Sequence, residues 1–81
     1  MFDELIDEEK RIVGTKQLLK ALRKDEVAMV FVAEDAEEHV KERIVKAIGE
    51  KDVHLVYADS MAQIGEACGI DVGSACAAVL R

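Results

Sequence analysis

The stretch VAMVFVA, Val27 to Ala33, holds no polar side chain in seven positions, three of them valine. A strand with one face in water alternates apolar with polar residues. A continuous apolar run rich in β-branched side chains marks instead a strand covered on both faces, which places it in the interior of a sheet. The chain around it is 81 residues long, enough for one hydrophobic core and too short for two. Residues 1–81 are therefore read as a single domain in which helices flank a buried sheet.

The other segments fit that frame. Phe2, Leu5 and Ile6 recur at helical spacing in an opening helix that ends near Lys10, and Ile12 and Val13 suit a very short strand. Gly14 breaks the run, and Thr15 is the expected N-cap of a helix reaching about Lys24. Between Ala36 and about Lys51 a helical stripe of Ala36, Val40, Ile44, Ala47 and Ile48 opposes Lys41, Glu42, Arg43 and Lys46, which face water. A strand follows over residues 53–58. Ser60 with Gln63 three residues later reads as a capping box opening a short helix that carries Met61, Ile64, Gly65 and Cys68 inward, with Gly69 as its stop. A small, apolar strand over residues 75–80 closes the chain. The alternation of helix and strand predicts an α/β fold, a three-layer α-β-α sandwich around a mixed four-stranded sheet.

Composition narrows the function. About half the residues are hydrophobic and 35% are charged, which suits a folded, soluble protein rather than a disordered one. No apolar run approaches the roughly 18–20 residues that cross a bilayer, and the first ten residues are acidic where a secretory signal is basic and then apolar, so a cytoplasmic protein without a membrane partner is expected. Cys68 and Cys76 match neither a zinc pair nor a redox motif and read as small buried residues. His39 and His54 have no metal-ligand spacing around them, and adjacent Glu37, Glu38 and His39 point about 100° apart on a helix. Neither a P-loop nor a dinucleotide fingerprint is present. No catalytic residue, metal or cofactor is expected, and the chain reads as a non-enzyme.

Charge is distributed unevenly. The formal net charge is −6, yet Lys10, Arg11, Lys16, Lys20, Arg23 and Lys24 supply six of the eleven basic residues within fifteen positions that contain no acid. Taking Lys16 as zero on a helical wheel, Lys20 falls at about 40°, Lys24 at about 80°, Gln17 at about 100° and Arg23 at about −20°, with the leucines opposite. A solvated helix face is the plain reading of such a stripe. Its placement at a helix start after Gly14 favours an anion, because free first-turn amides and the positive end of the dipole point the same way as Lys16 and Gln17. That arrangement suits a phosphate backbone, with Gln17 able to reach a base edge. The loop IDVGS, residues 70–74, carries Ile70 and Val72 where loops are usually polar. They either tuck beneath the loop or are displayed by it.

These two stretches together resemble the family of small kink-turn RNA-binding ribosomal proteins of the L7Ae and L30e type. Its hallmarks are a Gly-Thr-Asn-Glu-x-x-Lys helix start and a hydrophobic loop after an LGxAxGI helix. Here the first reads Gly14-Thr15-Lys16-Gln17-Leu18-Leu19-Lys20 and the second Ile64-Gly65-Glu66-Ala67-Cys68-Gly69-Ile70-Asp71-Val72. The likeness extends over nearly the whole chain and is greatest to the short bacterial members of the YbxF type, in which Lys-Gln replaces Asn-Glu.

The resemblance implies that Gly14, Thr15, Lys16, Gln17 and Lys20 meet tandem sheared G·A pairs in the major groove, and that Ile70, Asp71, Val72 and Gly73 cover flipped or stacked nucleotides. Glu37 and Val40 fall near positions that line a looped-out base in some relatives. It further implies structured RNA as the partner, ribosomal RNA foremost, with ribonucleoprotein partners possible and a monomer expected. Two departures stand out. Gln17 offers an uncharged amide where the family has a carboxylate, altering its hydrogen-bonding options toward purines. Met61 stands where a lysine often follows the serine. Weaker RNA binding than the archaeal prototype follows, with about three phosphate contacts and a log–log salt slope of roughly −2 to −3. The alternative is a protein–protein adaptor in a ribonucleoprotein, whose acidic first helix and EDAEEHVKER segment dock a basic partner.

Overall fold

A computed structural model of the chain describes residues 3–5 and 7–81. After a 3₁₀ turn, Asp3–Leu5, the elements run β1 (Arg11–Val13), α1 (Thr15–Arg23), β2 (Val27–Ala33), α2 (Glu38–Ile48), β3 (His54–Ala58), α3 (Met61–Ala67) and β4 (Cys76–Leu80). The sheet order is β1-β4-β2-β3, with β2 parallel to β3 and β4 antiparallel to both β1 and β2. The sheet is mixed and four-stranded, and the apolar run of β2 lies inside it as its sequence requires.

Side-chain alternation divides the core. Val30 and Val32 of β2, with Cys76 and Ala78 of β4, meet Leu18, Ala21 and Leu22 of α1 and Ile44 and Ile48 of α2. Phe31 and Ala33, with Ala77, face the other way and meet Leu5, Ile64 and Cys68. Helices α1 and α2 thus cover one face, while α3 and the 3₁₀ turn cover the other. A bulge between Val27 and Met29 resets the alternation, so Val27 and Val30 both join the α1/α2 layer. Small residues in β4 let helices approach closely from both sides.

The structure departs from the sequence reading at several points. The opening segment is a 3₁₀ turn rather than an α-helix, although Leu5 is fully buried; Phe2 and Ile6 lie outside the described residues. Acids at positions 3, 4, 7, 8 and 9 repel across one turn, and so short a segment is a marginal helix. Ala36 precedes α2 and packs beneath the α3 layer, not on the α2 stripe. Lys41 is half-buried instead of facing water, its ammonium donating to the Glu34 carbonyl at 2.9 Å and pairing with Glu38 at 3.3 Å. Met61 is exposed rather than inward, because it is the first residue of α3 and its backbone is tied at the helix start to Asp35 and Ser74.

Candidate functional site

Strands β1, β2 and β3 run the same way, so each delivers its carboxyl end, and the helix that follows, to one rim of the sheet. Loops outside the carboxyl ends of such strands are where open α/β sheets hold ligands. Antiparallel β4 starts at this rim, so the segment feeding it, residues 70–75, arrives beside the α1 start. The Cys76 carbonyl joins the two: it accepts the Gly14 N–H at 3.2 Å and the Ser74 hydroxyl at 2.7 Å. The Ala33 N–H donates to the Ala75 carbonyl at 2.9 Å, bringing the segment after β2 to the same place.

At the α1 start the N-cap is Gly14 rather than Thr15. Gly14 holds φ 104°, a left-handed value that disfavours a side chain, and no side chain caps the helix. Thr15 is the first helical residue, and its hydroxyl sits 3.6 Å from the Cys76 sulfur. The helical ladder begins with the Leu18 N–H on the Gly14 carbonyl at 3.0 Å, leaving the three preceding amides directed off the helix end. Lys16, Gln17 and Lys20 are all exposed.

The second loop is held by a tight helix end. The Ser60 hydroxyl caps α3 by accepting the Gln63 N–H at 3.1 Å, while the Gln63 amide oxygen takes the Asp59 N–H at 2.8 Å, one residue before the expected reciprocal partner. At the far end Gly69, at φ 72°, donates to the Glu66 carbonyl and Ile70 donates to the Gly65 carbonyl, a paired closure that leaves few carbonyls free. Ile70 then packs against the α3-side core, whereas Val72 is 71% exposed. The two open readings of this loop thus divide between its two apolar residues. Asp71 and Gly73 are exposed beside Val72.

Glycines set the closeness of this packing. A Cβ on Gly65 would fall on the Val72 carbonyl, and one on Gly73 would come within 3.1 Å of Met61 backbone carbon. The Met61 N–H donates to the Asp35 carboxylate at 2.7 Å and the Ser74 N–H to the Met61 carbonyl at 3.1 Å. Asp35 and Ser74 are thus structural ties of the rim that sequence reasoning missed. Ser74 was one loop polar among several, and Asp35 one acid in an acidic run. Glu37 is the exposed N-cap residue of α2, and Val40 is half-buried on the α1/α2 layer. The start of α2 lies at this rim as well.

The helix that starts at this rim carries positive charge that the described contacts leave unpaired. Arg11 donates to the Leu5 carbonyl, Lys51 to the Asp25 carboxylate and Arg81 to the Asp25 and Asp52 carbonyls. Among the described residues the side chains of Lys16, Lys20, Arg23 and Lys24 have no such partner. Burial pushes both thiols upward in pKa, Cys76 despite its contact with Thr15, so neither is an activated nucleophile. No group of three or more potential metal ligands occurs among the described residues, and none of their helices is long and apolar enough to cross a membrane.

Comparison with known proteins gives this geometry its context. An RNA-binding protein, TTE2299, of Caldanaerobacter subterraneus subsp. tengcongensis is 54% identical over 69 residues, 85% of this chain and 84% of that one. RNA-binding protein YbxF of Geobacillus stearothermophilus is 39% identical over 80 residues, covering 99% of this chain and 98% of its own. A 15.5 kD RNA-binding protein of Giardia lamblia superposes with a TM-score of 0.86 over 98% of this chain and 67% of that one; at 21% identity the likeness is one of fold. The model of the ribosomal protein L7Ae/L30e/S12e/Gadd45 family matches residues 4–81. With that match spanning nearly its whole length, the chain belongs to the L7Ae/L30e/S12e/Gadd45 family.

Proposed function

We propose that residues 1–81 act as a non-enzymatic, monomeric, cytoplasmic RNA-binding unit that recognises kink-turn RNA, on ribosomal or other structured RNA. The observation that carries this reading is the single rim at which the uncapped, cationic α1 start meets the loop displaying Val72. In this reading the free amides, Lys16 and Lys20 hold phosphates or groove edges at the sheared G·A pairs, and Gln17 contacts a purine edge. Val72 and Gly73 supply an apolar lid for an unstacked base, with Asp71 beside it, while Glu37 and Val40 border that base at the α2 start. RNA recognition depends on splayed bases of this kind, since the deep A-form major groove of a regular duplex is closed to side chains.

The test is affinity, at fixed low salt, for a kink-turn duplex with intact sheared G·A pairs and for the same duplex with those pairs made Watson–Crick. Wild type should prefer the kink-turn, and Lys16→Ala should weaken that complex by about tenfold, the effect of losing a charged contact of about 1.4 kcal/mol. Equal, feeble binding to both RNAs would reject the reading.

A second reading has one observation of its own. Val45 and Tyr57 are exposed in a groove of about 540 Å³ lined by Glu34, Glu38 and Glu42 together with Lys41 and Lys46, an apolar, charge-edged surface for a segment of a ribonucleoprotein partner. A pull-down from nuclease-treated extract distinguishes the two, since a partner retained without RNA favours the adaptor.

A further inference from the structure

The cationic stripe of α1 continues onto α2. Thr15, Lys16, Leu19 and Arg23 of α1 and Arg43 of α2 line one groove of about 390 Å³. Leu19 and Thr15 are half-buried, and the three basic side chains are exposed around them. Arg43 has His39, Val40, Lys46 and Ala47 at the helical spacings where a carboxylate could neutralise it. Among the described residues neither arginine, nor Lys16, forms an ion pair or a side-chain hydrogen bond. In a chain with seventeen acids and eleven bases, three unpaired cations around one groove are a concentration of positive charge that folding does not use.

We infer that this groove is a second nucleic-acid contact, taking consecutive phosphodiesters of one strand of a stem that runs from the α1 start along the α1/α2 seam, with Arg43 as its outer anchor. The inference rests on the RNA-binding reading above and extends its footprint from Lys16 to Arg23 and Arg43, which that reading does not involve. The dimensions favour a polymer over a single free anion. Lys16 and Arg23 are seven residues apart, about 10 Å along the helix axis, too far for one phosphate group to bridge and long enough to meet more than one phosphodiester of a strand. Guanidinium groups suit such a track because their planar donor fork engages phosphate oxygens in pairs. Phosphate contacts carry register and affinity but no sequence information. Arg43 therefore strengthens binding to kink-turn and plain stems alike.

The experiment is a salt titration of binding, from about 50 to about 200 mM, for wild type, Arg43→Gln and Lys46→Gln, each against the kink-turn RNA and its Watson–Crick counterpart. Lys46 lies on α2 but lines the other groove, so its variant removes the same charge off the track. Arg43→Gln should weaken both RNAs by a similar factor and flatten the log–log slope by about one unit, and Lys46→Gln should keep the wild-type slope. A wild-type slope in Arg43→Gln, or an equal loss in Lys46→Gln, would overturn the inference. If wild type prefers the kink-turn and Arg43→Gln changes nothing, the groove alone fails. If wild type binds both RNAs equally but Arg43→Gln flattens both slopes, kink-turn recognition fails and the groove stands; no RNA binding at all overturns both.

Discussion

Gly65 shows how far one missing side chain reaches. It is buried at the end of α3, in ordinary helical backbone, and what excludes a larger residue is the Val72 carbonyl lying where its Cβ would go. An alanine there must push away loop backbone, which cannot swing aside as a flexible side-chain tip would. Gly65→Ala should therefore displace residues 70–73 and cost about 1–3 kcal/mol, the usual range for overpacking. It should also weaken the proposed kink-turn binding while leaving the salt slope unchanged, because the cations of α1 are untouched. Denaturant melts and the same RNA titrations check both parts.

At the scale of elements, α1 couples two duties through opposite faces. Leu18 and Leu22 are fully buried against β2, β4 and α2, while Lys16, Lys20, Arg23 and Lys24 face outward. Helix α1 has nine residues, too few to be stable alone in water, so the burial of its leucines holds the cationic face in position. Leu22→Ala should lower stability by about 2–5 kcal/mol through lost transfer energy and the cavity left behind. The denaturation midpoint should fall with little change in slope. Under conditions where the variant stays folded, the proposed preference for a kink-turn should match that of wild type, since no rim residue has changed.

Across the whole molecule the two ends have different roles. The rim holds exposed Lys16 and the free amides of the α1 start, with Arg23 and Lys24 a helix length away, whereas the opposite end is tied together by charge. Asp25 precedes β2, and its carboxylate accepts from the Lys51 ammonium at 2.7 Å while Arg81 donates to the Asp25 carbonyl. That hydrogen bond and the charge of Lys51 hold the Asp25 carboxyl below its ordinary pKa. A depressed folded-state pKa stabilises the fold above the unfolded value, and the contribution disappears as pH falls through the folded value. Asp25→Asn should thus be less stable than wild type at neutral pH, with the gap closing below about pH 4. The pair is exposed, so the effect should be small and should shrink with added salt. Matched denaturation curves at the two pH values measure it.

Much of this architecture was legible residue by residue. The apolar run of β2 demanded an interior strand, Gly69 ended α3, and the leucine and lysine faces of α1 followed from a period of 3.6 residues, because each of these depends on local pattern and on burial in general. What the pattern did not contain was which element meets which. Thr15 looked like a cap until the fold placed the Cys76 sulfur beside its hydroxyl and left Gly14 to begin the helix. Ala36 looked like part of the α2 stripe, yet it packs in the opposite layer. Ile70 and Val72 could not be told apart by composition, and only the closure of α3 onto the loop buries one and displays the other. Arg43 read as one more solvated side chain on α2 until the two helices packed together and set it across a groove from Arg23. Periodicity records how each segment partitions between core and water; contacts between residues far apart in the chain arise only when the sheet order brings their elements together.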